Sequence, residues 1–275
     1  MQYLNLNFTP VYEAGNSIEF KSFTFPGGEQ HIKLSMETMK VETTINVRLN
    51  TAQDFMMLAL AVDALRRIGI DKINAYIPYL PYARQDRVMV QGEPFSMKVF
   101  AKMLNALELD KITVLDAHSD VSLALLDNVE GRLNHTFVKN ALYSRPAGDY
   151  NIVCPDAGAY KKIFKLCESL GYKNELVVCN KDRDIATGEI KGISVNFQDL
   201  DCHDCYIVDD ICDGGRTFIE IAKVLKERNA GNIYLLVTHG IFSAGEEPLK
   251  PYIKHIFTTN SINDVCTDFI TRITL

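Results

Sequence analysis

Residues 206–228, YIVDDICDGGRTFIEIAKVLKER, contain the sequence pattern that decides the fold. The stretch begins with an apolar run at residues 206–208, which is typical of a buried strand, and this run ends in two acids. A glycine turn follows, and apolar residues then recur at helical spacing over residues 219–225. The pattern predicts carboxylates at the carboxyl end of a strand and backbone N–H groups at the start of a helix. This loop is a candidate site for a sugar phosphate, although a βα turn with two solvated acids explains part of the pattern.

The residues of this loop have different predicted roles. Asp209 and Asp210 are too polar to continue into a core unless they meet a metal ion or hydroxyl groups. Gly214 and Gly215 allow a tight turn, and Thr217 is the predicted N-cap of the helix. We therefore expect the strand to end before Asp209 and the helix to begin after Thr217.

The composition is that of a globular protein. The chain has 275 residues, of which 47% are hydrophobic and 23% charged, so it fits two medium domains or one large one. The net charge of −6 argues against nucleic acid as a partner but allows local basic pockets for phosphates. Neither a signal sequence nor an apolar run of membrane length is visible, so we expect a cytoplasmic protein without a membrane partner. Seven cysteines are expected to be reduced, and the CxxC of Cys202 and Cys205 lacks the second pair that structural zinc requires.

Strands and helices alternate along the predicted chain. Alternating segments predict strands at residues 17–25, 31–36 and 43–49. Apolar runs predict further strands at residues 72–79, 111–115, 151–153, 176–179, 206–208, 232–237 and 254–258, with a terminal extended piece at 265–271. Helices are predicted at residues 51–67, with Thr51 as the cap, at 94–107 and at 160–170, with a short segment at 121–126.

Polar or glycine-bearing clusters follow strand after strand, and this is the signature of parallel α/β sheets with ligands at one end. Both halves show the pattern, so we predict two domains, residues 1–140 and 141–275. In chain order the clusters read YARQDR, DAHSD, PDAG, NKDRD, VDDICDGGRT and THGIFSAG. With these motifs in this order, the chain resembles the ribose-phosphate diphosphokinases, or PRPP synthetases, over nearly its whole length.

The resemblance implies a fold and an activity. The fold is two phosphoribosyltransferase-like α/β domains with mainly parallel sheets flanked by helices, related by pseudo-two-fold symmetry. The activity is transfer of the β,γ-diphosphoryl group of ATP to the anomeric 1-hydroxyl of ribose 5-phosphate, giving PRPP and AMP. The implied cofactor is Mg²⁺, and the implied assembly is a homo-oligomer, a dimer or a hexamer.

The resemblance also assigns site residues. The ribose-phosphate loop matches Asp209, Asp210, Asp213, Gly214, Gly215, Arg216 and Thr217, with the first two facing ribose hydroxyls and the last the 5-phosphate. Asp116 and His118 match a motif that places Mg²⁺ and the ATP phosphates, and Asp156 matches a second metal or ribose position.

Further matches concern ATP and catalysis. ATP-contacting positions match Arg84 and Gln85, and an adenine-binding turn that reaches a neighbouring subunit matches Phe25 and Glu29. The KxR pair of a mobile catalytic loop matches Lys181 and Arg183. From the residues alone, other interpretations remain: a plain hairpin turn at PGGE, a buried and satisfied His118, and a solvated charged loop at NKDRD.

The chain departs from the family pattern DTxGT, because Gly214 replaces a threonine and Arg216 replaces a glycine. This exchange opens space beside the 5-phosphate and adds a forked donor, which suits a larger acceptor such as ADP-ribose; alternatively, Arg216 points to solvent. The chain is also expected to be a short member that lacks most of the strand and helix before the adenine turn. Apolar residues at 88–90 replace basic ones, so we do not expect phosphate or ADP to regulate the protein through this stretch.

Two other classes of protein are compatible with parts of the sequence. A non-catalytic regulatory subunit of the same family is one, and Lys181, Arg183 and His118 argue against it. A phosphoribosyltransferase that consumes PRPP is the other, and the YARQDR motif and the second α/β half argue against it.

Overall fold

The computed structural model describes residues 1–11, 16–35, 41–144, 148–183 and 190–275. Its backbone divides into two compact units, Met1–Leu133 with Leu275, and Asn134–Thr274. The two-domain division at residues 140 and 141 stays a prediction, and the compact units divide seven residues earlier.

The first unit is built on a parallel sheet. Its strands are β1 Gln2–Asn5, β2 Asn16–Ser17, β3 Phe20–Thr24, β4 Gln30–Leu34, β5 Thr43–Asn46, β6 Ile73–Ile77, β7 Lys111–Leu115 and β8 Val129–Arg132. Its helices are α1 Ala52–Arg67, α2 Ser96–Asn105 and α3 Asp120–Ala124. The sheet has the order β2-β1-β5-β6-β7-β8, with every neighbouring pair parallel. Strands β3 and β4 form a separate antiparallel hairpin.

The second unit contains a mixed sheet of seven strands. These are β9 Tyr150–Cys154, β10 Val177–Arg183, β11 Ile190–Val195, β12 Asp204–Cys212, β13 Ile233–Gly240, β14 His255–Thr259 and β15 Ile270–Ile273. The helices are α4 His135–Tyr143, α5 Tyr160–Leu170 and α6 Arg216–Glu227. The sheet order is β11-β10-β9-β12-β13-β14-β15, and only the β10 and β11 pair is antiparallel among these neighbours. The predicted α/β fold class with mainly parallel sheets is confirmed.

Strand β12 is buried on both faces, which explains its continuous apolar run. Cys205 and Ile207 pack in one core with the buried side of α6, whereas Tyr206 and Val208 pack in another core with α4 and α5. Successive side chains of a strand point to opposite faces, so each face of the sheet is covered by helices.

Local signals fix the helix ends. Thr51 caps α1 as predicted, because its side chain accepts the N–H of Asp54, and the Asp54 carboxylate accepts the N–H of Thr51 in return. Gly171 ends α5 with a left-handed φ of 66°.

Several element predictions are corrected by the structure. Strand β10 continues to Arg183 instead of ending at Cys179, because residues 179–183 pair with β11, which the sequence analysis missed. The interpretation of NKDRD as a loop is therefore wrong for residues 180–183, and Asp184 lies outside the described residues. Strand β12 likewise runs on through both acids to Cys212.

Other elements were also missed. Strand β1 forms between β2 and β5 in its sheet, although most of an N-terminal strand was expected to be missing. Strand β8 and helix α4 were not predicted, and the last strand is confined to Ile270–Ile273. Among the described residues, none of the helices combines the length and apolar character that crossing a membrane requires.

Candidate active site

The order of strands in the second unit places two loops side by side. From β9 the chain moves to β10 on one side, and it later returns to β12 on the other side of β9. Ligands of α/β sheets bind at the carboxyl ends of the strands where the order reverses in this way. The loops that follow β9 and β12 are therefore the candidate site of this unit.

Two acids continue strand β12 toward this edge. Asp209 is paired with Val237 of β13, so its backbone remains part of the sheet. The Asp210 residue is 7% exposed, and its N–H donates to Oδ1 of Asp209 at 2.9 Å. Burial raises the pKa of Asp209 well above its ordinary value of 3.8, and the negative charge of Asp210 raises it further. The apo site thus carries a carboxyl that favours its protonated form, and bound cations or hydroxyl donors would relieve this cost.

Asp156, after β9, belongs to the same site. Its negative charge also raises the pKa of Asp209, so the structure brings these two predicted residues together. Its Oδ1 accepts the N–H of Ala159 at 3.0 Å, which fixes the turn before α5. The thiol of Cys154 donates to the Asp156 carbonyl at 3.1 Å, and burial raises the pKa of this thiol to about 12. Cys154 is therefore a structural neighbour of the acids and stays protonated.

Residues 213–217, here called the phosphate loop, lead into α6. Gly215 is the N-cap of α6 with a φ of 79°, and a Cβ at this position would lie 2.9 Å from Leu249 Cδ2. Only glycine satisfies both conditions. Thr217 was predicted as the cap, but it lies within the first turn because Gly215 takes that position. The first N–H groups of a helix have no partner inside the helix, so the phosphate loop can bind an anion there.

The two departures from the family pattern lie on the open side of the phosphate loop. Gly214 is exposed, and a Cβ added to it would lie 3.8 Å from Ser243 Oγ, an ordinary contact. Arg216 is exposed, and no carboxylate within the described part of the chain pairs with it. An exposed guanidinium therefore lies next to open space at Gly214, at the start of α6.

In the first unit, Asp116 and His118 follow β7. Asp116 is 1% exposed and has a left-handed φ of 47°, and its N–H donates to the Arg132 carbonyl at 2.7 Å. Such a backbone conformation is uncommon for a residue other than glycine and is often found at functional sites. His118 is exposed, so the interpretation as a buried and satisfied histidine is wrong.

The loop after β6 carries the predicted ATP residues Arg84 and Gln85, both exposed. The turn is fixed by hydrogen bonds from the Gln85 N–H to the Tyr82 carbonyl and from the Met97 N–H to the Gln85 carbonyl. Strands β6 and β7 are parallel neighbours, so this loop and the Asp116 loop leave the sheet at one edge.

Asp86 links these two loops, and the sequence analysis did not assign it. The residue is buried, and its carboxylate accepts from the Arg87 guanidinium at 2.8 Å. This hydrogen bond lowers the pKa of Asp86, with further contributions from the Ser119 hydroxyl and from His118. The sequence signal that could have identified Asp86 is its position as an acid between two arginines in YARQDR.

The predicted adenine turn is a hairpin, as the PGGE pattern indicated. The Phe25 N–H donates to the Glu29 carbonyl at 2.8 Å, and Gly28 has a φ of 95°. Phe25 is 48% exposed and lies with Phe23 at a ring separation of 4.8 Å. The hairpin thus offers an open aromatic surface, which is suited to stacking against a base.

For Lys181 and Arg183 the structure describes the backbone. Lys181 lies opposite Ile193 of β11, and the register shifts between Asp182 and Arg183. Strand β10 is the neighbour of β9 and so begins beside the strand that carries Asp156.

The acidic residues fit Mg²⁺ by their chemistry. Mg²⁺ prefers oxygen ligands and is usually bound by one or two carboxylates together with substrate phosphates. Asp116 and Asp156 each end a buried strand and offer such oxygens. Within the described ranges no three His, Cys, Asp or Glu side chains form a metal-binding group, and a site completed by phosphates does not need one.

The second of two mainly parallel α/β units has an acid-rich loop where its strand order reverses, and this arrangement is typical of α/β enzymes that bind ligands at the carboxyl ends of their strands. Comparison with known proteins narrows this class. The N-terminal domain of ribose phosphate pyrophosphokinase matches residues 17–107, and the phosphoribosyl synthetase-associated domain matches residues 192–269. The ribose-phosphate pyrophosphokinase of Pyrococcus abyssi is 31% identical over 250 residues, which cover 90% of this chain and 86% of the relative. That of Mycoplasma pneumoniae is 29% identical over 260 residues, with 89% and 78% covered.

A solved structure agrees with the fold. Phosphoribosylpyrophosphate synthetase from Mycobacterium smegmatis matches with a TM-score of 0.83 and 22% identity, covering 100% of this chain and 94% of that chain. The present chain belongs to the ribose-phosphate pyrophosphokinase family, whose members are diphosphotransferases of the kinase type.

Proposed function

We propose that this protein transfers the β,γ-diphosphoryl group of ATP to the anomeric 1-hydroxyl of ribose 5-phosphate, giving PRPP and AMP. The observation that carries the proposal is that Asp209 and Asp210 lie on the strand that leads into the phosphate loop, with the charge of Asp156 acting on Asp209. Carboxylates accept hydrogen bonds from sugar hydroxyls, and the helix N-terminus accepts the 5-phosphate.

The residues of the first unit are the proposed ATP site. Phe25 and Glu29 would bind adenine, Arg84 and Gln85 the ribose or phosphates, and His118 the phosphates. The exposure of these side chains supports this assignment, because each can reach a ligand without a change in the core.

Charge neutralisation is the main chemical requirement of the proposed reaction. Diphosphoryl transfer needs in-line placement of the reacting groups and cations on the oxygens that gain charge. Asp116 and His118 in the first unit are proposed ligands of Mg²⁺, which would neutralise the charge of the ATP phosphates. Asp156 in the second unit is proposed separately as a metal or ribose ligand. Lys181 and Arg183 would donate hydrogen bonds to the transferred diphosphoryl group. The two residues lie on either side of Asp182 on β10.

Product analysis tests the proposal directly. The purified protein is incubated with ATP, ribose 5-phosphate and Mg²⁺, and AMP and ADP are separated by chromatography. We expect AMP that depends on both Mg²⁺ and the acceptor. ADP as the product, or AMP formation without an acceptor, would contradict the proposal. A protein that binds ATP but forms no product with any acceptor would instead be the non-catalytic regulatory subunit.

A second candidate acceptor is ADP-ribose, whose ribose 5-phosphate carries an AMP group. The observation in its favour is Arg216, an exposed guanidinium beside the open space at Gly214. A guanidinium can bind a further phosphate through paired hydrogen bonds, and the missing threonine leaves volume for it. Running the same assay with ADP-ribose in place of ribose 5-phosphate distinguishes the two acceptors by their kcat/KM values.

A further inference from the structure

The loop after β13, residues 241–249, contacts the end of β12 and the phosphate loop that follows it. Both the Ile241 and the Phe242 N–H groups donate to the carbonyl of Cys212, at 2.9 and 3.2 Å. Phe242 has a left-handed φ of 50°, and its carbonyl accepts the Gly245 N–H. At its far end, Leu249 packs against the position where any Cβ of Gly215 would lie. This loop, here called the β13 loop, therefore supports the phosphate loop from the side.

Ser243 makes the side-chain contact between the two loops. Its hydroxyl donates to Oδ1 of Asp213 at 2.6 Å, and the side chain is exposed. Hydrogen bonds from a neutral donor to a charged carboxylate are stronger than those between neutral groups. The bond thus ties one oxygen of Asp213 to the β13 loop.

The position of this carboxylate matters for an anion bound at α6. Asp213 lies two residues before the N-cap Gly215, from which an aspartate side chain can turn toward the first N–H groups of the helix. Those N–H groups are the ones that a 5-phosphate requires, and a carboxylate beside them would repel the phosphate.

We propose that Ser243 is a positioning residue for the acceptor, because it ties the Asp213 carboxylate to the β13 loop and keeps the anion site at the start of α6 clear. The proposal rests on the proposed function, in which this loop binds the 5-phosphate of the acceptor. Ser243 touches neither ATP nor the reacting atoms in this role, so its effect falls on acceptor binding.

The first test compares Ser243→Ala with Ser243→Thr, which keeps the hydroxyl. We expect Ser243→Ala to raise the KM for ribose 5-phosphate about tenfold, with kcat changed less than about twofold. Ser243→Thr should remain close to the wild type. Ser169→Ala is the matched control, because Ser169 is an exposed serine of the same unit whose hydroxyl donates to the Leu166 carbonyl. An unchanged KM in Ser243→Ala overturns the proposal.

A double-mutant cycle identifies the partner. When Asp213 is already Ala, the change Ser243→Ala should have no further effect on KM, because the carboxylate that Ser243 holds is gone. An equal loss in both backgrounds would mean that Ser243 acts on another group, and the proposal would be wrong.

Calorimetric titration with ribose 5-phosphate separates this proposal from the proposed function. If the wild type binds ribose 5-phosphate but forms no AMP, the proposed activity fails, and the Kd values of the two Ser243 variants still test the positioning role. If the wild type forms AMP and Ser243→Ala has the wild-type Kd, the activity stands and the positioning role fails.

Discussion

The N–H of Asp210 donates to Oδ1 of Asp209 at 2.9 Å, and the two carboxyls interact directly at the open edge of the second sheet. Burial and the charge of Asp210 raise the pKa of Asp209, so the folded protein binds this proton more tightly than the unfolded chain does. The contribution of Asp209 to stability is therefore greatest while the carboxyl is protonated. It falls as the pH rises above the ordinary value of 3.8 toward the raised value.

Asp209→Asn should consequently stabilise the protein without ligands at pH 8 and impair its activity. We expect a gain in Tm of about 2–4 °C at pH 8 and a smaller gain at pH 5, where the wild-type carboxyl holds its proton more often. Thermal denaturation at the two pH values measures this difference. Asp199→Asn is the control, since Asp199 is exposed and accepts from Asn229, which lowers its pKa. A lower Tm for Asp209→Asn at pH 8 would contradict the prediction.

Lys181→Ala and Arg183→Ala should each lower kcat by about 10² or more, because one placed donor to a transition state is worth a few kcal/mol. The KM values for ATP and acceptor should change much less. Steady-state kinetics with both substrates varied provide the measurement. Lys173→Ala serves as the control, because Lys173 is an exposed lysine of the same unit. Normal turnover in both variants would leave these residues as solvated charges on an edge hairpin.

Restoring the family loop with Gly214→Thr and Arg216→Gly should lower the kcat/KM for ADP-ribose relative to ribose 5-phosphate, if ADP-ribose is an acceptor. The expected change is about tenfold, the worth of one charge-assisted hydrogen bond. The substitution at Gly214 is sterically allowed, since the added Cβ would be 3.8 Å from Ser243 Oγ. The KM for ATP should not change, which is the internal control. If the ratio of the two kcat/KM values is unchanged, or if the wild type does not use ADP-ribose as an acceptor, the loop is a neutral variant of the family pattern.

Phe25→Ala should raise the KM for ATP, and the protein should sediment as a homo-oligomer. The resemblance implies that this turn reaches a neighbouring subunit, and on that proposal mixed oligomers of Phe25→Ala and Lys181→Ala should regain part of the activity. The gain arises because some sites combine an intact turn from one subunit with intact catalytic residues from another. Activity assays after co-refolding of the two variants measure it, with each variant alone as the control. An active monomer, or mixtures no more active than their parts, would refute the shared site.

The element types of this protein were largely determined by local sequence. Residues 160–170 alternate buried and exposed positions at helical spacing and end at Gly171, and the helix forms as predicted. Strand β7 also has the predicted bounds. Its short apolar run is buried, as expected for a central strand covered on both faces, and the run ends before an acid. The order of the polar clusters was sufficient to indicate the family, since each cluster follows a strand and marks a ligand-binding edge.

Pairing between distant segments decided the remainder. Residues 180–183 are polar and residues 209–212 begin with two acids, so the sequence predicted that both strands end earlier. Pairing with β11 and β13 satisfies the backbone groups of these residues and extends the strands. Thr217 has the side chain of a cap, yet Gly215 takes the cap position with a left-handed φ, and Leu249, far along the chain, packs against it. The electrostatic effect of Asp156 on Asp209 depends on sheet order, and the hydrogen bond of Ser243 with Asp213 depends on loop packing. Residue types and their spacing determine which functional groups the chain carries. The free energy of pairing between distant segments determines which of these groups lie next to one another.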